Sequence, residues 1–359
     1  MTSRRTLLKG TLCGSAAALL PTAASAAGGA GPLLRLPRPS GPHPVGLRTV
    51  HLTDPARSDP WVGGAREVML TVLYPARSVH GCSRAPQLTP AEAREFADSA
   101  RFVHPGLPEP GAVDWGAVLT HGYAGAPPLP GRWPVLVYSP GGGDSRTLGT
   151  SLAEDLASHG RVVVLVDHPG DASQVELPTG MRTTVLTGPP DPATFRTMLD
   201  TRIADLRLVL DRLGGLPPAP VMDLRRIGLY GHSAGGTAVV YAARGDHRVG
   251  AVADLEGYLD LEPPPAGPDR PPLLLLRTDG FEGAARIESS WAGLPGPRLL
   301  LPDANHWAFT DLGTLVPRLQ GAGLVTATAR AALVGTGDPA ATLARVRRGV
   351  GAFFTRHLA

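Results

Sequence analysis

A serine flanked by glycines is the first candidate for chemistry in this chain. Residues 231–235 read Gly-His-Ser-Ala-Gly and place Ser233 between an apolar run, 226–230, and a helix-like stretch, 237–243. A serine on a tight turn between a strand and a helix exposes its hydroxyl, and the glycines avoid clashes that side chains would cause there. The chain has 45 glycines, so the short pattern alone is weak, and its place between the two elements is what predicts a nucleophile.

A serine hydroxyl becomes a good nucleophile only when a neighbouring base takes its proton. Three histidines follow Ser233 in the sequence: His247, His306 and His357. His247 opens a predicted strand and His357 lies in a predicted terminal helix, which are poor places for a base. His306 lies in the loop just after the last predicted strand, 298–301. We therefore predict that His306 accepts the proton.

The third member of such a triad is an acid that orients the imidazole and stabilises the imidazolium. Asp254 and Glu256 follow one predicted strand, and Asp279 follows the next. Side chains alternate along a strand, but Asp254 and Glu256 share the same parity, so periodicity does not separate them. Asp279 occupies the position where the acid is commonest in this kind of fold. The residues alone leave all three carboxylates open.

Negative charge develops on the substrate oxygen during acyl transfer, and backbone N–H groups must stabilise it. Ala234, directly after the nucleophile, is predicted to supply one donor. The loop after an earlier strand, with Ser139-Pro140-Gly141-Gly142-Gly143, is predicted to supply another, through Gly142.

The elements that must position these residues alternate between short apolar strands and helices. This alternation predicts an α/β fold with a mostly parallel central sheet and helices on both faces. Together with the serine motif at a strand–helix turn, it predicts the α/β-hydrolase fold. The predicted strands are 134–139, 161–166, 226–230, 249–253, 273–277 and 298–301, preceded by 46–52 and 67–74. The predicted helices are 90–100, 148–159, 195–213, 237–243 and 340–358.

The domain organisation predicted from composition is simple. Residues 27–44 are rich in Gly and Pro and are interpreted as a flexible lead-in. Residues 45–359 are predicted to form a single catalytic domain. Within it, residues 75–131 are interpreted as an excursion that flanks the pocket, and residues 168–194 as a loop.

The N-terminus has the pattern of an export signal. Residues 3–9 read Ser-Arg-Arg-Thr-Leu-Leu-Lys, an apolar stretch covers 12–20, and residues 24–26 read Ala-Ser-Ala. This pattern predicts that 1–26 is a twin-arginine signal peptide, that the twin-arginine export machinery is a partner, and that the protein is secreted. The apolar stretch is too short for a stable membrane span. Cleavage would leave Cys82 as the single cysteine, which excludes an intrachain disulfide.

Charge and composition argue against several other classes of function. The formal net charge is +3, but the cations are 33 arginines and one lysine scattered along the chain, with no basic patch that would predict binding to nucleic acid. No metal-binding motif is present, and neither a metal nor a cofactor is predicted.

Beyond the serine motif, the chain resembles the platelet-activating-factor acetylhydrolase-like α/β-hydrolases, which are grouped with bacterial secreted lipases and esterases. Residues 52–61 and 66–76 resemble the N-terminal signature of that family, and Ser139-Pro140-Gly141-Gly142 stands where the family usually has Ser-His-Gly. Residues 167–170 resemble its next loop, and residues 306–311 its histidine segment. In that loop, His168 is expected to pack or to line the substrate pocket.

The resemblance implies a secreted serine carboxylic-ester hydrolase acting through an acyl-enzyme on a small-molecule ester or phospholipid, with short acyl chains. It places the acid at Glu256, with Asp254 and Asp279 as alternatives, although the family commonly has aspartate there. Pro140 in place of the usual histidine is a second departure. Two alternatives stay open: a cutinase- or polyesterase-like hydrolase, and a catalytically silent hydrolase-fold binding protein.

Overall fold

The structure, a computed structural model, describes residues 34–262 and 270–359, in which ten strands form one sheet and two more form a separate hairpin. The strands are β1 (Val45–Ser58), β2 (Ala65–Pro75), β3 (Arg84–Pro86), β4 (Leu119–Ala124), β5 (Trp133–Ser139), β6 (Val162–Val166), β7 (Gln174–Leu177), β8 (Gly180–Thr183), β9 (Met222–His232), β10 (Val249–Leu255), β11 (Leu273–Thr278) and β12 (Arg298–Leu301). The α-helices are α1 (Pro90–Val103), α2 (Thr150–Ser158), α3 (Pro192–Arg212), α4 (Ala234–Ala242), α5 (Ala284–Ser290), α6 (Leu312–Gly321), α7 (Ala327–Val334) and α8 (Pro339–His357).

The large sheet has the order β12-β11-β10-β9-β5-β6-β2-β1-β4-β3. The strands from β12 to β6 are all parallel to their neighbours, whereas β2 pairs antiparallel with both β6 and β1. The carboxyl ends of the parallel strands therefore meet at one edge of the sheet, where ligands bind in open α/β sheets. The predicted α/β fold with a mostly parallel sheet is confirmed.

The helices cover both faces of the sheet because both faces of its strands are apolar. In β5, Val135 and Val137 pack into the cluster that includes side chains of α3 and α4, whereas Leu136 and Tyr138 pack into the cluster that includes α2 and α8. Successive residues of a strand point to opposite faces, so the continuous apolar run supplies two cores at once.

Two sequence-based interpretations are wrong for the described residues. Residues 34–44, expected to be flexible, pack against the domain: Leu34 and Leu36 are buried in an apolar cluster, and the backbone N–H of Ser40 donates to Asp155 Oδ1 at 2.8 Å. Residues 168–194 are not only loop, because they contain the antiparallel β7–β8 hairpin and the first turn of α3. Composition suggested flexibility for the first stretch, but burial orders its described residues, and strand pairing orders part of the second, which was predicted as a loop.

The predicted signal peptide, 1–26, lies outside the described residues. Within the part of the chain that is described, no helix is long and apolar enough to cross a bilayer. The same part holds no cluster of three or more His, Cys, Asp or Glu side chains suited to a metal ion. Cys82 is a free, half-buried thiol.

Candidate active site

Ser233 stands at the junction of β9 and α4, at the carboxyl edge of the sheet. Its φ and ψ are 54° and −123°, a conformation that side chains rarely adopt. The turn is held by a hydrogen bond from Ser233 N to the Leu255 carbonyl (2.9 Å) and by one from Thr237 N to the Ser233 carbonyl (3.1 Å). Strain of this kind persists only where the surroundings fix it, and it is typical of an exposed nucleophile.

The glycines around Ser233 are required by close backbone packing. A Cβ at Gly231 would lie 2.3 Å from the carbonyl oxygen of Gly235, and a Cβ at Gly235 would lie 2.1 Å from the carbonyl oxygen of Ser139. At Gly236 it would lie 2.0 Å from Asp254 Oδ1. The turn is therefore pressed against the end of β5, which brings the serine beside the glycine-rich loop that follows that strand.

His306 and Glu256 form a hydrogen-bonded pair beside this turn. Nδ1 of His306 lies 2.8 Å from Oε2 of Glu256, and both side chains are buried. The ring centroid of His306 lies 4.6 Å from that of His232, the residue before Ser233, and 4.0 Å from the parallel ring of Phe281. The carboxylate fixes Nδ1 as the protonated nitrogen, which leaves Nε2 free to accept a proton.

Glu256 is held in place by hydrogen bonds to its carboxylate and by a tight turn of its backbone. Its Oε1 accepts hydrogen bonds from Thr278 N (2.5 Å) and Thr278 Oγ1 (2.8 Å), so only Oε2 faces the histidine. Its φ is 67°, in the left-handed region, and the turn is closed by a hydrogen bond from Gly257 N to Asp254 Oδ1 (2.7 Å). Among the described non-glycine residues, positive φ occurs at Ser233, Glu256 and Asp303, all three in the loops that build this site.

The two alternative acids occupy other positions. Asp254 is fully buried below the turn, where burial raises the pKa of its carboxyl well above the usual value. Asp279 is exposed and accepts hydrogen bonds from Asp303 N (3.0 Å) and Ala304 N (3.2 Å), in the loop that leads to His306. Asp254 thus shapes the turn of Glu256, and Asp279 anchors the loop of His306.

The surroundings of His306 favour its neutral form. Burial lowers the pKa of the imidazole below its usual 6.5, His232 lowers it further, and Glu256 partly opposes both effects. Nε2 of His232 donates to the carbonyl oxygen of His306 at 3.0 Å, which ties the turn to the histidine loop. Behind His232 lies Asp144, a buried carboxylate 3.0 Å from His104 Nε2. Burial alone would raise the pKa of the Asp144 carboxyl, but His104 holds it below its usual value. A neutral imidazole is the form that a general base requires.

The two predicted oxyanion donors lie next to each other. A Cβ at Gly142 would be 3.6 Å from the Cβ of Ala234. Among the described residues, no acceptor takes the Gly142 N–H, and Ala234, as the first residue of α4, has no acceptor within its helix. Two free backbone N–H groups therefore lie beside Ser233, as stabilisation of an oxyanion requires.

A cavity of about 290 Å³ opens at Ser233. Its walls come from α1, the loop after β5, the stretch between β8 and α3, α3 itself and the segment after β10, and the described residues that line it include no charged side chain. The lining residues are Phe102, Val103, Gly142, Gly143, Thr184, Leu186, Gly188, Pro189, Pro190, Phe195, Met198, Ser233, Ala234 and Tyr258. Both segments predicted to shape the pocket, 75–131 and 168–194, contribute to it.

Several residues that organise the site escaped sequence reasoning. Thr278 holds Glu256, and the buried Arg202 on α3 contacts the loop after β5. Arg202 had a detectable signal, because it lies on the face of α3 that otherwise carries Leu199, Leu206 and Val209, where a charge is unexpected. His168 is fully buried between Ser139 Oγ (2.9 Å) and Asp205 Oδ2 (2.9 Å), so it packs the loop and does not line the pocket.

Comparisons with known proteins find esterases and an acetylhydrolase family. The family model described as platelet-activating factor acetylhydrolase, isoform II, matches residues 32–178. A protein of Arthroderma benhamiae named probable 1-alkyl-2-acetylglycerophosphocholine esterase is 28% identical over 308 residues, which cover 78% of this chain and 77% of that protein. The solved structure of a ferulic acid esterase from Streptomyces cinnamoneus is 36% identical, with a TM-score of 0.75 over 91% of this chain and 93% of its own.

Proposed function

This chain belongs to the platelet-activating factor acetylhydrolase-like family of α/β-hydrolases and is a carboxylic-ester hydrolase, and from that premise we propose that Ser233, His306 and Glu256 are its catalytic triad. The single observation that carries the proposal is the 2.8 Å contact between His306 Nδ1 and Glu256 Oε2, made beside the strained turn of Ser233. Acyl transfer needs three groups, which are a buried carboxylate, a neutral imidazole and a serine on an exposed turn.

The reaction follows from these groups. Nε2 of His306 takes the proton of Ser233 as Oγ attacks the ester carbonyl carbon, and the new negative charge on the oxygen is stabilised by the N–H groups of Gly142 and Ala234. The tetrahedral intermediate collapses, the C–O bond of the ester breaks, and His306 returns the proton to the departing alcohol. Water then attacks the acyl-serine with the same histidine as base, which releases the carboxylic acid and restores Ser233.

The cavity supports a small, apolar acyl group. Its volume of about 290 Å³ lies at the low end of ligand pockets, which run from about 300 to 1,000 Å³. The walls carry no charged side chain to pair with a phosphate or a quaternary amine, so a phospholipid headgroup would have to lie outside the cavity. We therefore assign the cavity to the acyl side of the ester, with acetyl and other short acyl groups as the first candidates.

An aromatic acyl group is the second candidate. Phe102, Phe195 and Tyr258 line the cavity and offer faces on which a planar ring can pack. The relative from Streptomyces cinnamoneus, 36% identical, carries the name ferulic acid esterase. A cutinase- or polyesterase-like activity is the third candidate, because the cavity at Ser233 is open to solvent.

Labelling with a fluorophosphonate tests whether the serine is reactive. We expect the purified protein to be labelled, and Ser233→Ala to lose the label together with hydrolysis of p-nitrophenyl acetate. A wild-type protein that takes no label would support a silent hydrolase-fold binding protein. Undiminished labelling of Ser233→Ala would show that another residue is the nucleophile.

A panel of esters then separates the substrate classes. It comprises p-nitrophenyl acetate, p-nitrophenyl laurate, methyl ferulate, a 1-alkyl-2-acetylglycerophosphocholine and a polyester film. Highest kcat/KM on the acetyl esters supports the first candidate, and highest kcat/KM on methyl ferulate supports the second. Release of products from the film with weak activity on all small esters would favour the third.

We also propose that the protein is exported by the twin-arginine route, on the basis of residues 3–9 and 24–26. The test is to express the full chain in its host or in another bacterium with this route, and to compare it with Arg4→Lys/Arg5→Lys. If the protein is exported, mature protein with a new N-terminus near residue 27 should appear in the extracytoplasmic fraction. The double variant should yield no such mature protein. Equal distribution of both proteins would contradict the proposal.

A further inference from the structure

The loop that carries Gly142 is held from below by a buried arginine. Nη1 of Arg202 donates to the carbonyl oxygen of Pro140 at 2.6 Å, and Nη2 donates to that of Gly141 at 2.9 Å. Nε of the same guanidinium donates to Asp171 Oδ2, and Asp171 Oδ1 accepts the N–H of Gly143 at 3.0 Å. This buried ion pair therefore contacts Pro140 and Gly141 on one side of Gly142 and Gly143 on the other.

The direction of the Gly142 N–H follows from the bond to Gly141. The carbonyl of Gly141 and the N–H of Gly142 belong to one trans peptide group, in which they point in opposite directions. Because Arg202 and Asp144 N (3.1 Å) both bind the carbonyl, the N–H must point away from them. The same peptide lies beside the nucleophile turn, because a Cβ at Gly142 would be 3.6 Å from that of Ala234, and Gly142, Ser233 and Ala234 line one cavity.

The charge of the guanidinium adds a second effect. A cation bound to a carbonyl oxygen polarises the whole amide, which makes the N–H a stronger donor, and a low local dielectric increases the effect. His168, the other basic side chain near Ser139, contributes no charge, because burial and the charge of Arg202 lower its pKa to about 4. Arg202 is fully buried and reaches neither the cavity nor the substrate.

We propose that Arg202 is a positioning residue of the oxyanion site, which aims and polarises the Gly142 N–H through the Gly141 carbonyl. The inference rests on the proposed function, since it assigns a cause to the geometry of that same site. We therefore expect Arg202 to stabilise the transition state, where the substrate oxygen is charged, and to have little influence on binding of the neutral ester.

The test compares Arg202→Lys with Arg146→Lys. A lysine keeps the positive charge but cannot bridge two carbonyl oxygens and a carboxylate at once. Arg146 is a matched control because it too is buried in ion pairs, with Asp167 and Glu92, and no contact among the described residues joins those partners to residues 139–143. Each variant is assayed for kcat and KM on p-nitrophenyl acetate, for Ki of a trifluoromethyl ketone that forms an oxyanion adduct with the serine, and for Tm.

For Arg202→Lys we expect kcat to fall about 10–100-fold, somewhat less than the loss of an oxyanion donor, with KM changed by less than about threefold. The Ki of the ketone should rise by the same factor as kcat falls, and Arg146→Lys should change neither. Equal losses in both variants that follow Tm would overturn the proposal, as would an unchanged kcat in Arg202→Lys.

Two further measurements cover the remaining cases. If Arg202→Lys does not fold, the double variant Arg202→Gln/Asp171→Asn removes both buried charges, leaves none unpaired, and is expected to show the same split between kcat and KM. If the wild-type protein hydrolyses no ester, the proposed function fails, and crystal structures of wild type and Arg202→Lys still decide the positioning claim. A Gly141–Gly142 peptide that is rotated in the variant supports it, and an unmoved peptide overturns it.

Discussion

Glu256 reaches His306 from a backbone conformation that side chains rarely adopt: its φ is 67°, and its Oε2 lies 2.8 Å from His306 Nδ1. The longer side chain of glutamate does not disturb the site, because Thr278 binds the other carboxylate oxygen and fixes how far the group extends. The strained turn and the two hydrogen bonds from Thr278 together hold the carboxylate of Glu256 against His306.

The first prediction concerns this contact. We expect Glu256→Gln to lower kcat by about 10³–10⁴-fold, because an amide N–H facing Nδ1 stabilises the wrong tautomer of His306. The measurement is steady-state hydrolysis of p-nitrophenyl acetate by the purified variant, with circular dichroism to verify the fold.

The other two carboxylates provide matched controls. Asp254→Asn replaces a buried carboxyl, which does not contact His306, by a neutral group of the same shape, and Asp279→Asn weakens only the anchoring of the histidine loop. Each of these two substitutions should lower kcat by less than about tenfold. A larger loss in Asp279→Asn than in Glu256→Gln would assign the acid to Asp279.

The second prediction concerns pH. The pKa of His306 is lowered by burial and by His232 and is raised by Glu256, so the acid limb of kcat/KM should fall below pH 6.5 in the wild type. Replacing His232 by glutamine removes a lowering influence and keeps an N–H donor for the His306 carbonyl, so the acid limb should move to higher pH. Glu256→Gln removes a raising influence, so any residual activity should show an acid limb at lower pH.

Full pH profiles of kcat/KM for the three proteins test these opposite signs. His247→Gln, which changes an exposed histidine outside the site, should leave the profile unchanged. A shift of both site variants in the same direction would contradict the stated origin of the pKa of His306.

The fold was predictable because short apolar strands alternate with helices, and burial on both faces of a parallel sheet requires that pattern. That Ser233, His306 and Gly142 lie shortly after strand ends was likewise predictable, because the preceding apolar runs were recognisable as strands. The choice among Asp254, Glu256 and Asp279 was not, because it depends on a turn closed by Gly257 and on Thr278 from the neighbouring strand.

Long-range contacts of buried charges were also outside the reach of sequence patterns. Arg202 lies about sixty residues after the loop that it holds, and its partner Asp171 lies in another loop. A charged residue on the apolar face of a helix indicates that a buried partner exists, but it does not say where in the chain that partner is.

The third prediction concerns the packing of the nucleophile turn. Gly235→Ala would put a Cβ 2.1 Å from the Ser139 carbonyl oxygen and 2.3 Å from that of Pro140, and backbone atoms cannot rotate away as a side chain can. The turn and the oxyanion loop must then separate, and a displacement of about 1 Å at such a site costs about 10²-fold in rate. Activity on p-nitrophenyl acetate and Tm should both fall.

Gly351→Ala is the contrasting substitution. Gly351 lies within α8, and no atom lies within 4 Å of the position that a Cβ would take. Alanine in a helix interior is favoured over glycine by about 1 kcal/mol, so Tm should rise slightly and kcat should stay unchanged. Full activity of Gly235→Ala would show that the tight packing at the turn is not required.

The last prediction concerns a buried carboxyl away from the site. Glu154 on α2 is fully buried, its Oε1 accepts the N–H of His121 at 2.5 Å, and its Oε2 has no hydrogen-bond partner among the described residues. Burial raises the pKa of this group from 4.5 to about 8. The folded state thus binds the proton more tightly than the unfolded state, and the stability from that proton is complete below pH 4.5 and lost as pH rises to about 8.

Glutamine stays neutral at every pH and has nearly the same shape, so Glu154→Gln should escape this loss. We expect the variant to match the wild type in Tm near pH 4.5 and to exceed it by at least about 3 °C at pH 9, since 1 kcal/mol corresponds to about 2–4 °C in proteins of about 150–250 residues and to somewhat less in a longer chain. Thermal melts across this pH range, with Glu288→Gln as an exposed control, provide the measurement. A Glu154→Gln variant whose Tm differs from the wild type by the same amount at every pH would show that Glu154 does not titrate in this range, and that its burial is compensated by contacts with the ionised form.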